Sequence, residues 1–246
     1  ECVRRMLPTR SVTVEVHGPL MDRVEAEYAI SADGKTAYME MAAASGLTLV
    51  PQEQRNPMTA TTYGVGEMIA DAVKRGCQTI VMGIGGSATC DGGRGMIEAL
   101  GDCRCLDMDC RVIVACDVNN PLFGKNGAAY VFAPQKGATP EQVELLDGRL
   151  RAFAKETEQA GRATPELALS PGAGAAGGLG YALLAYLNAE LHSGIDIMLD
   201  IADFDAVIKD ADLVITGEGK SDGQTLMGKV PHGVLKRRLR EGVEVW

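Results

Sequence analysis

The feature that most constrains the fold is a change in hydrophobic period near Gly64. Before it, apolar and polar residues alternate through three short runs, 11–16, 23–30 and 36–42, which the turn sequences HGPL and SADGK separate. Strict alternation is typical of a half-buried strand, and Gly, Pro and Asp between such runs favour tight turns. The runs therefore predict an antiparallel meander with one buried face and one face in water.

After Gly64 the sequence reads as helices alternating with short apolar runs, which predicts a largely parallel sheet. Together with the meander, this pattern places the chain in the α/β class with a mixed sheet. The elements predicted here are a helix over 64–76, a strand over 79–84, a helix over 94–101, and strands over 111–118 and 127–134.

The second half of the chain continues the alternation. Thr139, Pro140 and Gln142 occupy the N-cap, N1 and N3 positions of a predicted helix, which is the arrangement of a capping box. A glycine-rich entry precedes another predicted helix. The remaining elements are that helix over 181–190, a strand over 211–216, a helix over 230–242 and a strand that begins at 243.

Composition excludes several classes of function. The net charge of −9 disfavours extended contact with nucleic acid, because such binding depends on clustered Lys and Arg. No apolar run has bilayer length, and the first residues lack the apolar core of a signal peptide, so we expect a cytoplasmic protein without a membrane partner. Seven cysteines, an odd number in a chain of this size, predict reduced thiols, and the cluster DCRCLDMDC lacks the further ligands of a zinc site.

Three glycine-rich loops, at 83–95, 172–180 and 217–223, each follow a predicted strand or precede a predicted helix. Ligands of open α/β sheets bind at such positions, where glycine lets backbone amides approach an anion. Ser87 and Thr89 add hydroxyl donors. The loops favour phosphate or nucleotide binding, although glycines after strands often form only turns. The match to the dinucleotide fingerprint is poor, and no Walker lysine follows.

Six blocks of the sequence resemble, in order, the signatures of the bacterial glycerate kinase family, of the glycerate 2-kinase type. The resemblance covers nearly the whole chain. The blocks are MAAASGL (41–47), TTYGVGE (61–67), GIGGSATCDGG (83–93), CDVNNPLFGKNGAAYVFAPQKGAT (116–139), PGAGAAGGLG (171–180) and ADLVITGEGKSDGQTLMGK (211–229).

The resemblance implies transfer of a phosphoryl group from ATP, with Mg²⁺, to D-glycerate, which yields 2-phosphoglycerate or 3-phosphoglycerate. It also implies two α/β domains, one of them inserted into a flavodoxin-like domain, with the active site in the cleft between them. We expect residues 9–200 to form the inserted domain, and residues 1–8 with 201–246 to form part of an incomplete flavodoxin-like domain.

The sequence departs from the family pattern at several places. The DSFKGS-like segment with which family members begin is missing, and the stretch between Gly101 and Arg111 is short. We therefore expect the chain to be part of a longer protein. Two smaller departures are Cys90, where Asn is usual, and Lys220, where Arg is usual.

Phosphoryl transfer needs amide-rich loops and a metal for the phosphates, and a carboxylate beside the acceptor hydroxyl. Asp91 is the first candidate for that carboxylate and Asp222 the second. A cation should meet the carboxylate of glycerate, for which Lys136 and Lys220 are the candidates and Arg94 a weaker one. Asp117 and Glu218 are candidate Mg²⁺ ligands. The predicted substrate- and phosphate-binding residues are Gly85, Gly86, Ser87, Thr89, Gly217, Glu218, Gly219 and Lys220.

Simpler interpretations stay open at this point. Each Asp could be a turn residue that binds its own backbone, and Lys136 could be an ordinary solvated lysine. Cys90 is not expected to be a nucleophile, because no His lies near it in sequence. A nucleotide-dependent dehydrogenase of a small 2-hydroxy acid and an inactive ligand-binding module are the alternative functions. The sequence does not decide which hydroxyl is phosphorylated or whether the protein is a homodimer.

Overall fold

The computed structural model describes residues 2–101, 110–217, 230–241 and 244–245. The chain divides into two compact units. The larger unit is Thr9–Leu191, and the smaller one combines Glu1–Pro8 with His192–Trp246. The expected division at residue 200, and the flavodoxin-like character of the smaller unit, stay predictions.

A six-stranded mixed sheet forms the framework of the larger unit, and its strands lie side by side in sequence order. The first three pair antiparallel, with Val14 opposite Ala26 and Ala29 opposite Tyr38, so the predicted meander is confirmed. The third, fourth and fifth strands pair parallel. The strands are β1 (Thr9–His17), β2 (Arg23–Ser31), β3 (Thr36–Glu40), β4 (Thr79–Gly83), β5 (Arg111–Ala115) and β6 (Glu190–His192).

One face of this sheet is buried under helices, while the other face of the meander is mostly polar and largely exposed. Val16 and Ile30 from the sheet pack in one cluster with Met68 and Leu183 from the helices. Apolar area removed from water in this way is the main stabilising term of the fold. The helices are α2 (Ala42–Ser45), α3 (Tyr63–Lys74), α4 (Arg94–Leu100) and α7 (Ala175–Leu187).

A second core lies on the other side of α7, where Tyr181 packs with Leu146 and Leu150 of α6 (Pro140–Gln159). The predicted capping box at the start of α6 is present. Gln142 N–H donates to the Thr139 hydroxyl, and Thr139 N–H donates to the Gln142 side chain. The cap fixes the register of α6 and so directs its apolar stripe, including Phe153, towards α7.

The strand predicted over 127–134 is wrong. Residues Ala128–Phe132 form a short helix, α5, which a 3₁₀ turn over Pro134–Lys136 follows. A continuous apolar run without alternation fits a buried helix as well as a buried strand. Here Ala128 and Ala129, two strong helix formers, are buried against the second core, so the helix is formed. This correction affects the site, because the 3₁₀ turn carries Lys136.

The smaller unit contains four helices and a two-stranded parallel sheet among the described residues. Arg237 is nearly buried and pairs with Asp200 and Asp205. The elements predicted over 211–216, 230–242 and from 243 are present. The helices and strands of the smaller unit are α1 (Cys2–Met6), α8 (Gly194–Ile201), α9 (Phe204–Ile208), β7 (Leu213–Val214), α10 (Val230–Glu241) and β8 (Glu244–Val245).

Across the described parts of both units, none of the helices combines the length and the apolar character that crossing a bilayer requires.

Candidate functional site

The larger unit has a cavity of about 420 Å³ beside the carboxyl ends of β4 and β5. This is the end of a parallel sheet at which α/β proteins bind ligands. Most of the wall is apolar and a few polar groups interrupt it, as in many small-molecule sites. The lining residues are Leu47, Ile84, Gly85, Gly86, Ser87, Ala115, Cys116, Asp117, Val118, Phe132, Gln135, Lys136, Ala175 and Ala176.

The glycine loop, residues 84–93 between β4 and α4, contributes three consecutive residues with free backbone amides to the cavity. In the described ranges, no group accepts a hydrogen bond from the N–H of Gly85, Gly86 or Ser87. Gly86 has a φ of +74°, a conformation that favours glycine. Consecutive amides left without acceptors form a concavity suited to an anion.

The glycine loop is held on one side by the segment that follows α2. Leu47 N–H donates to Gly86 O over 2.8 Å, and Ala88 N–H donates to Ser45 O over 2.9 Å. These bonds use the carbonyl of Gly86 and leave its amide unbonded. They also bring Leu47 to the cavity wall.

Lys136 is the cation of the cavity. Its side chain is buried, with 2% of the residue exposed, and its Nζ lies 2.7 Å from Ser87 Oγ and 2.6 Å from Thr89 O. Burial lowers the pKa of Lys136 to about 8, while Cys90 and Asp91 act in the opposite direction. Lys136 is therefore not the ordinary solvated lysine that was one interpretation of the sequence.

Backbone geometry holds Lys136 in place. Gly137, which follows it, has a φ of +96°, and a Cβ on Gly137 would lie 2.5 Å from Arg55 O. The chain can therefore turn directly after Lys136 only with glycine at this position. Arg55 belongs to the segment 47–62, so that segment packs against the turn that carries Lys136.

Asp91 lies in the same loop but has a different environment. Its Oδ2 accepts from Thr62 N–H and from the Thr62 hydroxyl, each over 2.8 Å, and from Gly95 N–H over 3.2 Å. Its Oδ1 accepts from Gly93 N–H over 3.0 Å. Asp91 does not line the cavity. Its carboxylate joins the N-terminal ends of α3 and α4.

Two other residues near Asp91 do not line the cavity either, the weaker candidate Arg94 and Cys90, which was not expected to be a nucleophile. Arg94 pairs with Glu156, and its guanidinium lies over the ring of Phe153, 4.5 Å from the centroid. Cys90 is buried in the second core, and burial raises the pKa of its thiol to about 11. At neutral pH the thiol therefore keeps its proton.

The second glycine-rich loop meets the first. Gly92 N–H donates to Gly177 O over 3.0 Å, and a Cβ on Gly177 would lie 2.0 Å from Thr89 O. Ala176, Gly177 and Gly178 all have left-handed backbone conformations, which turn the chain into the regular part of α7. Ala176 itself lines the cavity. Two of the three predicted loops therefore belong to one site.

Most of the third predicted loop, 217–223, lies outside the described residues. Gly217 lies in the smaller unit, and Glu218, Gly219, Lys220 and Asp222 lie outside the described residues. Their predicted roles stay predictions.

Asp117 is exposed and lines the cavity, as a metal ligand would. Within the described ranges, no group of three His, Cys, Asp or Glu side chains could hold a metal ion. Mg²⁺ beside a nucleotide commonly uses only one or two carboxylates together with phosphate oxygens, so a single Asp at this position fits that ion.

Sequence reasoning missed several residues of the site. Leu47, Phe132 and Gln135 line the cavity but lie outside the three glycine-rich loops that the sequence singled out. Thr62 was missed as the partner of Asp91, because 29 positions separate the two. Leu47, Thr62, Phe132 and Gln135 do lie inside or beside the blocks that resemble the family, and that is the signal that could have found them.

A sequence model described as the glycerate kinase family matches residues 1–111 and 103–246 of this chain. A protein named glycerate kinase from Halalkalibacterium halodurans is 46% identical over 94% of this chain, and the match covers 68% of that protein. A glycerate 2-kinase from Escherichia coli K12 is 46% identical over 89% of this chain, and the match covers 64% of that protein.

A solved structure agrees with these matches. A crystal structure assigned to glycerate kinase 2 from Salmonella typhimurium LT2 superposes with a TM-score of 0.87 at 44% identity, covering 99% of this chain and 72% of that one. The chain thus spans about two thirds of the length of the curated relatives it matches.

Proposed function

This chain belongs to the glycerate kinase family, and we propose that it transfers the γ-phosphoryl group of ATP to a hydroxyl of D-glycerate. The observation that carries the proposal is the polar end of the cavity. There, the free amides of Gly85, Gly86 and Ser87 lie in the same wall as the buried cation of Lys136. Such a wall suits anionic oxygens, which ATP carries on its phosphates and D-glycerate on its carboxylate.

Phosphoryl transfer is catalysed mainly by positioning and by neutralising charge. Preorganised amides and a desolvated cation serve that purpose, because they interact more strongly with an anion than solvated groups do. The cavity also falls in the range of about 300–1,000 Å³ that is usual for small-molecule sites.

We assign the residues of the proposed site as follows. Gly85, Gly86 and Ser87 bind oxygens of phosphate or substrate, and Asp117 supplies an oxygen ligand to Mg²⁺, the ion that neutralises charge on the nucleotide when bound. Thr89 contributes its carbonyl, which holds Lys136. Asp91 has a structural role, because both of its oxygens already accept hydrogen bonds.

The product is proposed to be 2-phosphoglycerate, since one relative is named glycerate 2-kinase. Nuclear magnetic resonance of the purified product distinguishes the two isomers, because phosphorus couples to the proton of the carbon that carries it. A 3-phosphoglycerate spectrum would overturn the assignment of the hydroxyl but not the kinase activity.

Proposed use of ATP also implies a cytoplasmic location, and the described cysteines are all free thiols, as the cytoplasm would keep them. A homodimer stays a prediction.

Coupled ADP release by the full-length protein tests the proposed function. We expect release that depends on ATP, Mg²⁺ and D-glycerate together. Oxidation of NADH or NADPH with a 2-hydroxy acid, without ATP consumption, would instead favour the dehydrogenase alternative. Binding of either substrate without turnover in either assay would favour an inactive binding module.

A further inference from the structure

The proposed reaction needs a group that accepts the proton of the acceptor hydroxyl, and Asp91 is poorly placed to be that group. Its oxygens accept four hydrogen bonds and lie away from the cavity. The side chains that do line the cavity are therefore the candidates for the proton acceptor.

Ser87 and Lys136 form a pair in the cavity wall. Ser87 Oγ lies 2.7 Å from Lys136 Nζ, both residues line the cavity, and both are buried, with 8% and 2% exposed. A hydroxyl and an amine at this distance can exchange a proton directly. The same combination activates the nucleophile in enzymes that use a Ser–Lys pair.

We propose that Ser87 and Lys136 form a proton relay, in which the acceptor hydroxyl gives its proton to Ser87 Oγ while Ser87 passes its own proton to the neutral amine of Lys136. This inference rests on the proposed function. The relay uses the neutral form of Lys136, and it adds this role to the one that the ammonium form has as the cation of the cavity.

The hydrogen bonds of Lys136 fit both ends of the relay. A neutral Nζ has one lone pair, which accepts from the Ser87 hydroxyl, and it still donates to Thr89 O. After the transfer, the ammonium donates to both oxygens. Neither state requires the side chain to move.

The step balances. The acceptor oxygen forms a bond to the γ-phosphorus, and the bond from that phosphorus to the bridging oxygen breaks with its electron pair on the nucleoside diphosphate. The proton ends on Lys136 and leaves to solvent before the next turnover. The nucleoside triphosphate is the only co-reactant.

Burial supports the relay, because it lowers the pKa of Lys136 to about 8 and so populates the neutral amine near neutral pH. The charged and titratable groups around Lys136 are few. Cys90 and Asp91, in the glycine loop, act on Lys136 through their charges, and both favour the ammonium. Cys116 and Asp117 share the cavity wall from the loop after β5, and Arg55 packs beside Gly137.

The variants Lys136→Arg and Lys136→Met distinguish two roles for Lys136, a proton acceptor and a permanent cation. Arg keeps the positive charge but cannot lose its proton, whereas Met removes the charge at a similar length. If the relay operates, Lys136→Arg and Lys136→Met both lose about 100-fold or more in kcat, and the acidic limb of the wild-type pH profile near pH 8 disappears. Retained activity and an unchanged pH profile in Lys136→Arg would overturn the relay in favour of a cation.

Ser87 supplies a second test that does not depend on a buried lysine tolerating substitution. Ser87→Ala removes the intermediate oxygen, and Ser87→Thr retains it. We expect kcat to fall about 100-fold in Ser87→Ala with KM for D-glycerate little changed, and to recover in Ser87→Thr. Equal losses in both variants, or an effect on KM alone, would contradict the relay.

Lys155→Met is the matched control, since Lys155 is an exposed lysine of α6. It should retain wild-type kcat and the wild-type pH profile. The proposed function and the relay are rejected by different results. Absence of ADP release by the wild type in the presence of D-glycerate would reject the proposed function. An active wild type whose Lys136→Arg variant is equally active would reject only the relay.

Discussion

The two halves of the glycine loop use the same residue for opposite purposes. In the first half, Gly85 and Gly86 are exposed, and a Cβ on Gly85 would meet no atom within 4 Å. In the second half, Gly92 and Gly93 are buried, and a Cβ on Gly93 would lie 2.4 Å from Ala182 Cβ. The first half keeps space open for a ligand, and the second half lets α4 and α7 approach each other.

The polar residues follow the same division. Ser87 faces the cavity and meets Lys136, whereas Asp91 faces the helices and binds their backbone. One loop thus contains a binding half and a packing half within ten residues. A pair of glycines in the sequence does not by itself reveal which of these purposes it serves.

Adding one methyl group to each half of the glycine loop tests whether the halves differ. Gly93→Ala should lower the free energy of unfolding by about 4 kcal/mol, because Gly93 has a φ of +82° and the new Cβ would clash with Ala182. Gly85→Ala should change it by less than about 0.5 kcal/mol. Urea denaturation followed by circular dichroism measures both, and equal losses in the two variants would show that the halves do not differ.

Asp91 gives the next largest expected effect. Asp91→Ala leaves the amides of Thr62, Gly93 and Gly95 without their acceptor, so we expect the free energy of unfolding to fall by about 3 kcal/mol. Glu98→Ala, an exposed acidic residue of α4, is the control and should change it by less than about 0.5 kcal/mol.

Asp91→Asn adds an activity readout, because it retains one acceptor oxygen and more of the fold. We expect its kcat to remain within tenfold of wild type. A general base contributes about 100- to 10,000-fold, so a loss of that size in folded Asp91→Asn would make Asp91 catalytic.

The smallest of the three expected effects on the free energy of unfolding comes from Lys136, and it appears as a dependence on pH. Its pKa is about 8 in the folded state against 10.5 for an ordinary lysine, so the unfolded chain holds the proton more firmly between these values. The free energy of unfolding of the wild type, relative to Lys136→Met, should therefore rise by about 2 kcal/mol from pH 7.5 to 9.5. Taking the difference removes the opposing contribution of Cys90, and a difference independent of pH would contradict the burial of this amine.

Much of the fold follows from local pattern. Alternation predicts β1 to β3, and the capping residues at Thr139 and Gln142 predict the start of α6. These predictions succeed because the physical cause lies within a few residues of the element. The prediction for residues 127–134 is wrong for the opposite reason. Packing against α6 and α7 decides their conformation, and a short apolar run in the sequence does not indicate that packing.

The site was only partly accessible from the sequence. Glycine loops after strands indicate where a ligand binds, and Ser87 and Lys136 were among the candidates. The sequence did not show that Lys136 meets Ser87 across 49 positions, or that Asp91 binds Thr62 across 29. Such contacts arise from the crossover connections of the sheet, which bring distant loops to one edge.

The segment 47–62 is tied to the glycine loop at both ends, through Leu47 to Gly86 and through Thr62 to Asp91, and in the middle it packs on Gly137. Anyone who engineers this protein for a bulkier acid should therefore vary this segment together with the loop. The hydrogen bonds from segment 47–62, about thirty positions upstream, would oppose changes in backbone position caused by substitutions confined to residues 84–93. Compensating substitutions should therefore be sought first in that segment.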